Sequence, residues 1–257
     1  MCSEKFFTRD PREIPFVHNQ VEILLALADK SSRGISIRDD DFGFMTILFL
    51  YKQMQHVESI LLLVPRRDAG LIARTMIEGF YQLLWTSQAP EERAKLWRSF
   101  SIIHDWRLMQ SRVRAGITID EIDANKNEAG LKEFGDLHRT KKPKPLDPYH
   151  KNWRGGVKLS DMADLVGREL YDGPYEELSD WEHWGVSGIG DSISRENDRI
   201  SVNLNSDRIS GLSLLAAFQC LLQTLQIADV HFSLNLTDTL QTLSANFIKT
   251  LDSFYRA

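Results

Sequence analysis

The sequence predicts an all-α protein, a multi-helix bundle carrying at most one small β-hairpin. Three observations lead there. Apolar residues recur at helical spacing through most of the chain, as in Val21, Leu24, Leu25 and Ala28. Helix starts and stops follow one another at short intervals, as in Asp68 before Ala69 and Pro90-Glu91-Glu92. Only Ser192 to Leu204 alternates at period two, with Ile200, Val202 and Leu204 around a polar Glu196-Asn197-Asp198 turn.

In chain order, residues 1–15 are polar with Pro11 and Pro15, and are expected to form an arm ahead of one helical domain over 16–257. A first amphipathic helix is expected over Val17 to Lys30, ended by Ser31-Ser32-Arg33-Gly34. Asp39-Asp40-Asp41 should cap a second that stops before Pro65, and Asp68 a third that reaches Thr86. A fourth runs from Pro90 to about Val113, and Thr118-x-x-Glu121 has capping-box spacing for a fifth. Between His138 and Arg154 three prolines forbid a helix, and this stretch reads as a loop. Ser160 should cap a short helix over Asp161 to Leu170, and Pro174 to Gly185 forms another. Long helices over Asp207 to Asp229 and Asn235 to Tyr255 close the chain.

Composition narrows the function classes. A net charge of -5 gives no global field that favours nucleic acid. Its one exception is local: in the 138–154 loop Arg139, Lys141, Lys142, Lys144, Lys151 and Arg154 stand against Asp147 alone, with Tyr149 and Trp153 beside them. Cations with aromatic rings are how single-stranded nucleic acid is held, although a charged connector has the same composition. Two cysteines, Cys2 and Cys220, make neither a disulfide framework nor a metal cluster, in keeping with a reducing cytoplasm. MCSEKFFTRDPRE lacks the apolar core of a signal peptide, and the run Phe42 to Tyr51 is too short to span a bilayer. Phe42-Gly43-Phe44-Met45 and the Leu-rich final helices suit either the core or a homo-oligomer interface.

The third helix is the informative one. From Ala69 to Ala89 its only charges are Arg74 and Glu78, set among apolar residues on every side. A helix of that kind is buried, and opposite charges within it must be paired. On the Pro174–Gly185 helix, Tyr175, Ser179 and His183 fall at i, i+4 and i+8 and share a face. Should the two faces meet, Arg74 offers an anion anchor and His183 a general acid or base oriented by Glu78. A buried ion pair and a satisfied core histidine explain the same residues without chemistry.

The stretch VESILLLVPRRDAGLIARTMIEGFYQLLW, Val57 to Trp85, resembles the R-x-x-x-E helix of an uncharacterised bacterial family of helical proteins. Trp153, the LSDMADLVG run from Leu159 and Y-x-x-L-S-x-x-x-H from Tyr175 to His183 resemble that family's second half. The resemblance covers roughly residues 45–185 and implies Arg74, Glu78, Tyr175, Ser179 and His183 as marked positions, with no reaction attached. More distantly the chain is similar to HEPN-like bundles, several of which are ribonucleases in toxin and phage-defence systems. Their R-x(4–6)-H motif is met at Arg98…His104 and Arg12…His18, a frequency that chance supplies in a chain of this composition.

HExxH, phosphate loops, nucleophile elbows and dinucleotide fingerprints are absent, and the histidines are scattered, so no cofactor or metal is expected. Two readings follow. One is an effector acting on RNA or a nucleotide through Arg74 and the 138–154 loop, with His183, Glu78, Ser179 and Tyr175 as catalytic candidates. The other is a non-catalytic helical binding module whose polar cluster serves the fold.

Overall fold

A helix apolar on every side has to be surrounded, and Asp207–Phe232 is the one around which the others are arranged. The computed structural model describes residues 12–36, 40–182, 192–196 and 199–256. In chain order its helices are α1 (Glu13–Ser32), α2 (Asp41–Leu63), α3 (Ala69–Ser87), α4 (Pro90–Arg114), α5 (Glu121–Phe134), α6 (Leu159–Val166), α7 (Glu176–Glu182), α8 (Asp207–Phe232) and α9 (Thr237–Arg256). The all-α prediction is met. α1, α2 and α3 pack around α8, whose Leu214, Ala217, Cys220, Leu221 and Leu225 are wholly buried. By length and composition α8 is the described helix that suffices to cross a membrane, but most of its apolar stretch is enclosed within the bundle.

The local expectations hold where a side chain finds a neighbour in its own helix. α1 buries Val17, Val21, Leu24 and Ala28, the stripe that its spacing predicts. Asp40 caps α2 by accepting the Gly43 N–H at 2.5 Å, and a side chain at Gly43 would collide with Asp40 and His231, each 2.8 Å away. Phe42 and Met45 face inward, Phe42 edge-on to His231. Ser206 caps α8 through the Ile209 N–H at 3.2 Å. Asp229 accepts from Leu236 N at 2.8 Å and Thr237 Oγ1 at 2.7 Å, which fixes the entry into α9.

Other expectations are corrected. Asp68 is helical itself and makes no cap, so α3 is entered through the turn at Arg66. Asp120, not Thr118, caps α5, by accepting Ile122 N–H at 2.8 Å. α6 starts at Leu159, one residue ahead of Ser160, with Asp161 accepting the Lys158 N–H at 2.8 Å, and it ends at Val166. α1 begins at Glu13, inside the span expected to be an arm. α3 is not buried all round: Leu71 and Thr75 are exposed, and Arg74, Glu78 and Gln82 form a half-buried ridge.

The 138–154 stretch, expected to be a loop, is largely a β-hairpin of β1 (Arg139–Lys144) and β2 (Asp147–Tyr149), preceded by a 3-10 turn over Gly135–His138. A two-stranded ribbon is all edge, where strand prolines are tolerated. The expected hairpin near 192–204 is present as β3 (Ile193–Glu196) and β4 (Arg199–Val202), antiparallel, with Ile193 opposite Val202. Its Ile200 and Val202 are exposed, so it adds nothing to the core.

α4 and α5 form an outrigger. α4 buries only Ala94, Ser99 and Ile103, and α5 only Asn127, whose Nδ2 donates to the Ile102 carbonyl at 2.9 Å. The core therefore rests on α1, α2, α3 and α8. Leu83 of α3 is fully buried within it, and Leu83→Ala is expected to lower unfolding free energy by about 2–5 kcal/mol. Urea denaturation followed by circular dichroism measures that loss, and a change under about 1 kcal/mol would remove α3 from the core.

Candidate functional site

The half-buried ridge of α3 meets the segment from Leu170 to Glu182. That segment opens with a π-helical turn over Tyr171–Tyr175, in which the Tyr175 N–H reaches the Leu170 carbonyl at 2.9 Å, and continues as α7. A π turn is a local widening of the helix, common at functional positions and able to swing a side chain out of its ordinary register. Here it carries Tyr175 across to α3. Leu178, on the inward side of α7, is wholly buried and holds the segment to the bundle.

Four of the sequence-derived candidates come together. Arg74 Nη1 lies 3.0 Å from Glu78 Oε1, one helical turn away. Its Nη2 donates to the Tyr175 hydroxyl at 2.9 Å and its Nε to Ser179 Oγ at 3.0 Å. The Tyr175 hydroxyl donates to Glu78 Oε1 at 2.8 Å, and Ser179 donates to the Tyr175 carbonyl at 2.6 Å. The guanidinium carbon also stands 4.9 Å from the Tyr175 ring centre, in cation–π range. The Arg74 side chain is only 15 % exposed and that of Glu78 33 %, so water screens the pair incompletely. His183, the fifth candidate, lies outside the described residues, as does the Gly185 helix stop.

Two features escaped sequence reasoning. Tyr171 stacks on Tyr175 with ring centres 5.2 Å apart, and the Arg168 guanidinium carbon stands 4.9 Å from the Tyr171 ring centre. Their i, i+4 spacing was a signal, but Pro174 between them argued against a continuous helix. Glu177 pairs with Arg208 at the start of α8, tying α7 to the central helix. That partner is 31 residues distant and has no local signature.

Beside the cluster lies an open cleft of about 670 Å³. Its lining joins Arg74, Tyr175 and Ser179 to three carboxylates, Glu176, Glu177 and Asp180. With Glu78 and Arg208 included, four carboxylates face two guanidiniums, an environment that opposes polyanions. Burial pushes the Tyr175 phenol up to about 12, helped by its hydrogen bond to Glu78. At neutral pH it is a donor and no base. Ser179 directs its proton to a backbone carbonyl and accepts from Arg74, so among the described residues no base withdraws that proton.

The remaining candidates lie elsewhere. Arg98 pairs with Asp41 at 2.8 Å, and His104 on the same helix is exposed. His18 faces Glu22 at 3.6 Å. Trp153 is buried against Trp85 and donates to Gln82 Oε1 at 3.1 Å, so it offers no platform for a base. Tyr149, half-buried, stands edge-on to Trp106. Among the described residues no three His, Cys, Asp or Glu side chains are grouped as metal ligands.

Compared with known proteins, residues 44–200 match the model of the family of unknown function DUF5677, and the chain belongs to that family. The match spans the stretch in which the R-x-x-x-E and Y-x-x-L-S motifs led to an uncharacterised family being expected. No curated protein and no solved structure matches the chain.

The raised Tyr175 phenol has a consequence for stability. The folded state favours its protonated form, so this contribution is complete below pH 10 and is lost as pH rises through about 12. Tyr81, whose phenol burial also pushes up, adds to the same decline. Stability measured by urea denaturation should fall between pH 10 and 12, and less steeply in Tyr175→Phe. Identical slopes for the two proteins would mean that Tyr175 ionises as freely in the fold as in the unfolded chain.

Proposed function

We propose that this member of the DUF5677 family is a non-catalytic helical binding module, in which Arg74, Glu78, Tyr175 and Ser179 form a clasp holding the Tyr171–Glu182 segment against α3. One observation carries the reading: among the described residues, the hydrogen bonds of these four side chains run between one another or to adjacent backbone. Three guanidinium nitrogens, the phenol, the serine hydroxyl and one carboxylate oxygen are each committed to another member or to adjacent backbone. A site for chemistry keeps a lone pair or a proton to spend on its substrate. A clasp spends them internally, because each buried polar group left unmade costs about 1–3 kcal/mol.

A second reading retains the cluster as the site of an effector acting on RNA or a nucleotide, HEPN-like in class and cytoplasmic in setting. There Arg74 would anchor phosphate, and His183, Tyr175, Glu78 and Ser179 would move protons. The open cleft and the π turn beside Tyr175 favour it. The carboxylates of that cleft weigh against an anionic substrate.

A double-mutant cycle separates the two. With Arg74→Met and Tyr175→Phe, the clasp reading expects each single change to cost about 1–3 kcal/mol and the pair to be non-additive by about 0.5 kcal/mol or more. It also expects RNA cleavage and nucleotide turnover to be indistinguishable from background in the unaltered protein. Turnover that disappears in Arg74→Ala or His183→Ala proteins of unchanged stability would overturn the clasp and establish the effector.

A further inference from the structure

The β1–β2 hairpin sets three lysines, Lys141, Lys142 and Lys144, on an exposed strand. No ion pair joins them to a carboxylate among the described residues. The hairpin's own acid, Asp147, lies within electrostatic reach of Lys144, but both its oxygens accept from Arg107 of α4, at 2.9 and 3.2 Å. Burial pushes the Asp147 carboxyl up, but the hydrogen bonds from Arg107 and the Tyr149 N–H, with the charges of Arg107 and Lys144, outweigh it and hold the carboxyl below its ordinary value, so it stays ionised.

The ribbon is also fixed in place. Arg107 Nη2 donates to the carbonyls of Tyr149 and His150 at 3.3 and 2.7 Å. At the other strand's root, His138 is buried with Nε2 2.9 Å from Ser99 Oγ of α4. Ser99 gives its own proton to the Lys95 carbonyl at 2.7 Å, so the imidazole is the donor to the serine. Burial, reinforced by the neighbouring His150, lowers the His138 pKa and keeps the ring neutral at pH 7. A cationic ribbon clamped at both roots loses little freedom when it binds.

From this placement the geometry points to a docking surface for the phosphate backbone of a nucleic-acid duplex, an inference that rests on the binding-module reading and names its partner. Lysine binds phosphate as a compact point charge, and a duplex presents one phosphate charge about every 1.7 Å along its axis. A two-stranded ribbon fits a duplex groove. Pro143, Pro145 and Pro148 remove N–H donors from the ribbon, which disfavours adding a peptide strand. Trp153 is buried and Tyr149 is packed on Trp106, so stacking on unpaired bases is not what the hairpin offers. Contact of this kind reads charge rather than sequence. The competing surface is an anionic membrane, for which Leu146, 82 % exposed at the turn, would be the wedge.

The test uses the full chain and fluorescence anisotropy of labelled 20-base-pair DNA and RNA duplexes of arbitrary sequence, titrated from low to moderate salt. Vesicles containing phosphatidylserine form a parallel arm. Affinity should fall linearly on a log–log salt plot. Replacing Lys141, Lys142 and Lys144 together by Gln should weaken binding about tenfold or more and reduce the slope by about 3, or about 1 per single change. Lys52→Gln, on the exposed side of α2, should change neither, and circular dichroism verifies that each variant is folded. Binding to one duplex alone sustains the assignment and names the source. Equal slopes for the unaltered and triple-variant proteins, no binding to either duplex, or saturable binding to vesicles only would each overturn it. None of these outcomes touches the Arg74–Tyr175 stability cycle, so the two readings fail separately.

Discussion

A guanidinium taken out of water has to be surrounded by acceptors, and this requirement shapes the site end of the molecule. α3 carries Arg74 on a helix that is otherwise apolar or neutral, with Glu78 one turn along. An i, i+4 carboxylate satisfies one nitrogen, and the rest must come from another element. α7 and the π turn before it supply two more acceptors, the Ser179 hydroxyl to Nε and the Tyr175 phenol to Nη2. The deviation from α geometry at Tyr171–Tyr175 then has a cause: it delivers the Tyr175 hydroxyl to a point shared by Arg74 and Glu78.

The same ridge organises more than the cluster. Gln82, one turn beyond Glu78, accepts the indole N–H of Trp153, and its own amide donates to the Glu78 carbonyl at 3.2 Å. Arg74, Glu78 and Gln82 thus form a polar seam of about 12 Å along α3, from the rise of the helix. At one end it receives α7, and at the other the chain leaving the β1–β2 hairpin. The apolar faces of α3 meanwhile bury Met76, Ile77, Phe80 and Leu83. One helix both anchors the core and receives the two polar attachments.

How much of this was legible depends on distance in the chain. The α1 stripe, the Arg74–Glu78 pair and the Tyr175–Ser179 face follow from helical periodicity and needed no tertiary knowledge. Their meeting across 101 residues was suggested only because a charged pair in an apolar helix demands a partner. Where two local solutions compete, the reading missed: Asp120 outcompetes Thr118 at the cap because its carboxylate reaches Ile122 N–H. Prolines concealed the hairpin, since they exclude a helix without specifying a ribbon. Arg107, 40 residues from Asp147, was invisible, and without it the loop seemed a solvated connector. Trp153 looked like a surface ring because its neighbours are charged, whereas Trp85 and Gln82 cover it.

The outrigger of α4 and α5 has a further consequence. α5 buries one side chain and packs on α4 and the 3-10 turn, while α8 buries most of its length among α1, α2 and α3. Opening free energy follows buried contact, so amide protons of α5 should exchange through local openings that leave the central helices closed, whereas those of α8 require the whole bundle to come apart. The basic ribbon is rooted on α4 between these tiers, through Ser99 on the protected side and Arg107 further out. The molecule therefore has a graded hierarchy of protection, in which the ribbon's footing lies on α4, outside the most cooperative part.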